Sequence, residues 1–73
     1  MIVFILAFNH DEARRFIRDR GNPLEKTEFI ILNRPEQLFG TRNPVVKILP
    51  NAYRREDYTD FMDMIQQRHG YRI

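Results

Sequence analysis

The side chains able to do chemistry here are two histidines, ten arginines and ten carboxylates, in a chain with neither cysteine nor serine. His10 and His69 stand far apart, and neither has a second histidine or a cysteine at ligand spacing, so no metal is expected. The lack of cysteine excludes a disulfide framework, a thiolate zinc site and a thiol nucleophile, and makes the cytoplasm the expected compartment. Thr27, Thr41 and Thr59 are the remaining hydroxyls besides tyrosine, and none is placed as a nucleophile. His10, with Asp11 or Tyr53 near it, is the one candidate base. The chain is expected to be a binding protein rather than an enzyme.

Arginine supplies ten of the twelve basic residues, and its planar fork suits phosphate and carboxylate. The same skew also follows from a GC-rich genome. A formal charge of +2 is mild, so composition alone does not select nucleic acid. Arg14, Arg15, Arg18 and Arg20 form the densest basic cluster, with Arg14 and Arg18 four apart on one helical face. Asp11, Glu12 and Asp19 dilute that field, and no aromatics interleave for base stacking. A solvated face is its simplest reading. The loop Phe8-Asn9-His10-Asp11 lacks the glycines of either standard phosphate cradle, and no acidic pair follows the first strand to hold magnesium. No cofactor is expected.

What positions these residues is a single domain over residues 1–73, 42% apolar and 30% charged. Ile2 to Phe8 is an unbroken apolar run, too short to cross a bilayer, and reads as a strand covered on both faces. Asn9 followed three residues later by Glu12 is an N-cap signature, with Glu12 expected to reach back to the amide of Asn9. The helix it opens runs to about Arg20, buries Ala13, Phe16, Ile17 and the stem of Arg20, and stops at Gly21 before Pro23. Thr27 to Asn33 predicts a second strand, and Pro35 to Phe39 a single helical turn anchored by Leu38 and Phe39 and released at Gly40. Val45 to Leu49 predicts a third strand, which Lys47 marks as an edge. A final helix is expected from Arg54 or Arg55 to about His69, with Tyr58, Phe61, Met62 and Ile65 as its stripe and Gly70 as its stop. The tail Tyr71 to Ile73 carries no assignment.

The order β-α-β-β-α implies an α/β fold with a parallel sheet, a minimal Rossmann-like arrangement of three strands. Strand order 3-2-1 and order 2-1-3 compete. The apolar first strand favours 2-1-3, with that strand in the middle. Ligands of open parallel sheets bind beyond the carboxyl ends of the strands. Those ends carry Asn9 and His10, then Asn33 and Arg34, then Asn51, Tyr53, Arg54 and Arg55. Asn9, His10, Arg34, Arg54 and Arg55 are therefore the candidate rim for a phosphate-bearing ligand or nucleic acid. Phe39, Met64, Tyr71 and Ile73 fall outside the expected core and are candidates for a surface that meets a partner protein or a second copy in a homodimer.

The runs Val3 to Ala13, Leu32 to Gly40, Val45 to Leu49 and Tyr53 to Asp57 resemble a group of small actinobacteriophage proteins, mycobacteriophage-like α/β chains with no assigned activity. The group's features are a hydrophobic strand ending in a small-Asn-Tyr loop, an Asn/Asp-Pro-x-x-Leu-x-Gly turn and a final aromatic-Arg helix start. Phe8 and His10 depart from the Gly and Tyr of that first loop. The resemblance implies phage origin and a compact α/β fold; the absent catalytic constellation, the small size and the leftover apolar residues add the expectation of a module that contacts a host or phage protein in the host cytoplasm. The resemblance transfers no catalytic residue.

Overall fold

Strand β1, Ile2–Leu6, runs between two parallel neighbours, and the rest of the chain is arranged around it. The computed structural model describes residues 1–20 and 27–73. The expected helix stop at Gly21 and Pro23 lies outside the described residues. Helix α1 spans His10–Asp19, β2 Glu28–Ile31, β3 Val45–Ile48, α2 Tyr58–Gln67 and β4 Tyr71–Arg72. Two short 3-10 turns, Pro35–Leu38 and Ala52–Arg54, lie either side of β3 in sequence.

The sheet has order β2-β1-β3-β4, with every pair parallel. β1 is thus flanked as its composition requires, and order 3-2-1 is excluded. Three strands were expected and the described residues form four, because the tail pairs with β3: Val45 lies beside Tyr71 and Val46 beside Arg72. Lys47 consequently lies on an inner strand and does not mark an edge. Its stem stays half-buried while the ammonium reaches out over the Phe16 ring at 5.9 Å, which is how a lysine is tolerated there.

Alternation along β1 divides the core into two layers. Val3, Ile5 and Ala7 face α1 with Ala13 and Leu49, and Phe16, Ile17, Phe29, Ile31 and Val45 close round them. Leu6 faces the opposite side with Leu32, Leu38, Val46, Ala52, Phe61 and Ile65. Phe61 and Ile65 come from α2, one helical turn apart. Two helix boundaries differ from expectation. Residues 52–54 form their own 3-10 turn, so α2 begins at Tyr58, after Arg55 and Asp57 have engaged each other. At the far end His69, not Gly70, takes the left-handed conformation, with φ 53°.

Candidate functional site

At α1 the Asn9 side chain accepts a hydrogen bond from the Glu12 amide at 2.9 Å, and so caps the helix as expected. Glu12 does not return to Asn9. Its Oε1 accepts from the Phe8 amide at 2.8 Å, and its Oε2 accepts from the Asn51 side chain at 2.8 Å and the Asn51 amide at 3.3 Å. One carboxylate thus joins the loop after β1 to the loop after β3, and its charge occupies the middle of the rim. The open hollow beside it, about 280 Å³, is lined by Phe8, Asn9, Asp11, Glu12, Arg15 and Asn51. Two carboxylates line that hollow against one guanidinium, which disfavours an anion there.

Arg55 has turned inward. Its guanidinium donates to the carbonyl of Ala7 at 3.1 Å, to the carbonyl of Asn33 at 2.9 Å, and to both oxygens of Asp57 at 2.8 and 3.2 Å. It also stacks 5.0 Å from the Phe61 centroid. Four of its five N–H donors are engaged, so it ties the ends of β1 and β2 to the start of α2. The hydrogen bond from Arg55 is the main cause that holds the Asp57 carboxyl below its ordinary value of 3.8, against the opposing effect of burial.

The other rim residues are brought near each other but not onto one point. His10 Nε2 meets Asn33 Oδ1 at 2.5 Å, joining the β1 and β2 ends. Arg54 is exposed and lies over the Phe8 ring at 5.1 Å. Arg34 is exposed, and its amide, like that of Asn33, donates to Gln37 Oε1. Gln37 also donates to the Ile31 carbonyl at 3.5 Å, closing the carboxyl end of β2. The rim is therefore a set of braces between strand ends, with Arg34 and Arg54 left at its surface.

The second candidate set divides differently. Phe39, Tyr71 and Ile73 are 59%, 61% and 58% exposed. Met64 is not on that surface: it is half-buried against the α2-side core. Phe39 lies apart, under the Arg68 guanidinium at 5.8 Å. Tyr71, in register with Val45, shares the α1 side of the sheet, and Ile73 lies two residues further along the same strand direction. The aromatic pair Phe16 and Phe29, edge to face at 6.2 Å, and the cations Arg20 and Lys47 near it are part of this side as well. Sequence reasoning missed Lys47 there because its pattern reads as an edge strand; Arg20 was expected to bury its stem in the helical stripe, but it is exposed, with its guanidinium over the Phe16 and Phe29 rings at 5.3 and 5.8 Å.

Among the described residues no three His, Asp or Glu side chains are grouped to hold a metal ion, and no helix is long and apolar enough to cross a membrane. The chain is a mixed α/β protein on a four-stranded parallel sheet. Comparison with protein-family models, with curated proteins and with solved structures finds no match.

Proposed function

We propose that this chain is a small phage-encoded binding module on a minimal Rossmann-like frame, which acts in the host cytoplasm by contact with another protein and performs no chemistry of its own. One observation carries the reading: among the described residues, α1 is the only helix that covers its side of the sheet. The opposite side has α2 and the Pro35–Leu38 turn packed on it, with Phe61, Ile65 and Leu38 buried. On the α1 side the described residues supply one ten-residue helix, which covers β1 and β2 and reaches β3 through Val45 and Leu49. Beyond it Tyr71 and Ile73 remain exposed on β4 and just after it. A sheet face of an α/β domain is ordinarily closed by a second layer, and exposed apolar surface of this kind marks interaction sites.

The test is retention of a protein from bacterial lysate by the full chain, beside its solution mass, compared with a Tyr71→Asp, Ile73→Asp variant. A specific partner or a dimer that the double variant loses, with its circular dichroism unchanged, supports the reading. A strict monomer that retains nothing, or retention indifferent to both changes, overturns it. Phosphate-bearing ligands at the rim receive less support, since Arg55 is engaged and Glu12 sits among the strand ends.

A further inference from the structure

The outer edge of β3 is paired over only part of its length. The Leu49 amide donates to the Leu6 carbonyl at 2.9 Å, so alternate residues of β3 turn their backbone groups to β1, and the residues between them face β4. Pro44, Val46 and Ile48 are the residues that face β4. The Pro44 carbonyl accepts from the Tyr71 amide at 2.7 Å, and the Val46 carbonyl from the Ile73 amide at 2.9 Å. There the ladder stops: β4 is in register with Val45 and Val46 alone, and among the described residues nothing bonds to the amide or the carbonyl of Ile48. Tyr71, Arg72 and Ile73 are all exposed, so backbone bonds hold the tail with little apolar burial to help them.

The side chains add a second mismatch. Arg72 is in register with Val46, which places it on the α2 side, where Ile48 also packs against the core. A hollow of about 280 Å³ lies beside it, lined by Met62, Ile65, Gln66 and His69 together with Gly70 and Arg72. This is the opposite face from α1 and the opposite edge from β2. The tail thus offers a guanidinium where Val46, Met62 and Ile65 would receive an apolar side chain. Open amide and carbonyl groups in ladder geometry select an extended strand over a helix, whose own backbone groups are satisfied within it. A second copy offers the same tail, with Arg72 in the same place. We infer that β3 takes up an extended segment of a partner protein in place of the resident tail, running parallel to β3 as far as Ile48, with apolar β-branched residues at its second and fourth positions. This goes beyond the reading above and uses the edge of the sheet, not its α1 side.

The probe is a fluorescein-labelled eight-residue peptide whose central residues read Thr-Val-Thr-Val, titrated into the full chain. Binding is expected, with the Ile48 amide newly protected from exchange and the Tyr71 and Ile73 amides released to it. A Thr-Lys-Thr-Lys peptide, and one with proline at the third position, where the amide would meet the Val46 carbonyl, should bind at least tenfold more weakly. In the chain, Ile73→Pro deletes the tail's bond to Val46 at an exposed position, and should tighten the peptide at least threefold; circular dichroism confirms that the variant folds. No binding, binding that leaves Ile48 unprotected, equal binding of the proline peptide, or weaker binding by Ile73→Pro overturns the proposal. So does a tail that stays protected while the peptide sits outside β4, or self-association that protects Ile48 without peptide. Tyr71→Asp, Ile73→Asp keeps the two readings apart: it removes a partner of the α1 side, whereas the peptide should bind that chain at least as tightly as the parent.

Discussion

Arg55 and Asp57 hold each other by two parallel hydrogen bonds of 2.8 and 3.2 Å, and the same guanidinium reaches the carbonyls of Ala7 and Asn33. The pair therefore closes the sheet where two strands end, just before α2 begins. Replacing Arg55 with Ala orphans two carbonyls and a partly shielded carboxylate. Charge-assisted hydrogen bonds contribute about 1.5–3 kcal/mol each in sheltered sites, and Asp57 is one-third exposed. A loss of about 2–3 kcal/mol in urea unfolding is expected for Arg55→Ala. Arg55→Lys should restore less than half of it, because an ammonium cannot make the fork. Equal stability of all three chains would mean that the clamp contributes nothing.

The same pair sets the acid limb of stability. The Asp57 carboxyl is depressed in the folded chain, chiefly by the hydrogen bond from Arg55. Below its ordinary value of 3.8 the unfolded chain takes up that proton first. The stabilisation is thus complete above about pH 4–5 and is lost as pH falls through the folded value. Asp57→Asn should be less stable than the parent at neutral pH and should show a flatter decline in acid, so that the two curves approach each other. Parallel pH curves would assign the acid limb to other carboxylates.

Glu12 makes a comparable join between the loops after β1 and β3 through Phe8 and Asn51. Those bonds are solvent-exposed, so Glu12→Ala should cost only about 1 kcal/mol globally. Locally the effect is larger in relative terms: exchange of the Phe8 and Asn51 amides should accelerate while the α2 amides stay protected. Unchanged exchange at Asn51 would show that the β3 loop is held by other contacts, such as the bond from the Ala52 amide to Leu49.

What could be read without coordinates follows physical locality. β1 was legible because an apolar run without alternation has no solvent face, and α1 because Asn9, Glu12 and the Ala13-Phe16-Ile17 stripe all lie within ten residues. The exposure of Tyr71 and Ile73 could likewise be anticipated from residues left over by the helical and strand patterns, whereas Phe39, expected to anchor its turn with Leu38, is 59% exposed because Leu38 alone turns into the core. β4 could not, since its two residues carry no pattern and its strand geometry is imposed by β3. Arg55 belongs with it. Its charge is visible in the sequence, but its inward turn depends on Ala7 and Asn33, which are far away along the chain. Met64 is off the main stripe of α2, yet it follows Phe61 by three residues on the helix and packs against the same core.

The fourth strand rests on the missing side chain of Gly70. A Cβ built there would stand 2.7 Å from the Ile65 Cγ2 methyl and 3.0 Å from the Pro44 carbonyl oxygen. That oxygen already accepts the Tyr71 amide at 2.7 Å, the first bond between the tail and the strand opening at Val45. Gly70→Ala therefore pushes on a buried helix residue and on the backbone that receives the tail. Overpacking of this kind costs about 1–3 kcal/mol, and the easiest relief is for Tyr71 to Ile73 to leave the sheet. Amide exchange at Tyr71 and Ile73 should then accelerate far more than at β1, and the open face beside α1 should lose its outer wall. Ile65→Leu moves the obstructing methyl off the β-carbon, so the double variant should regain part of the protection at Tyr71. Full protection of the tail in Gly70→Ala alone would show that the close approach does not hold β4 in place.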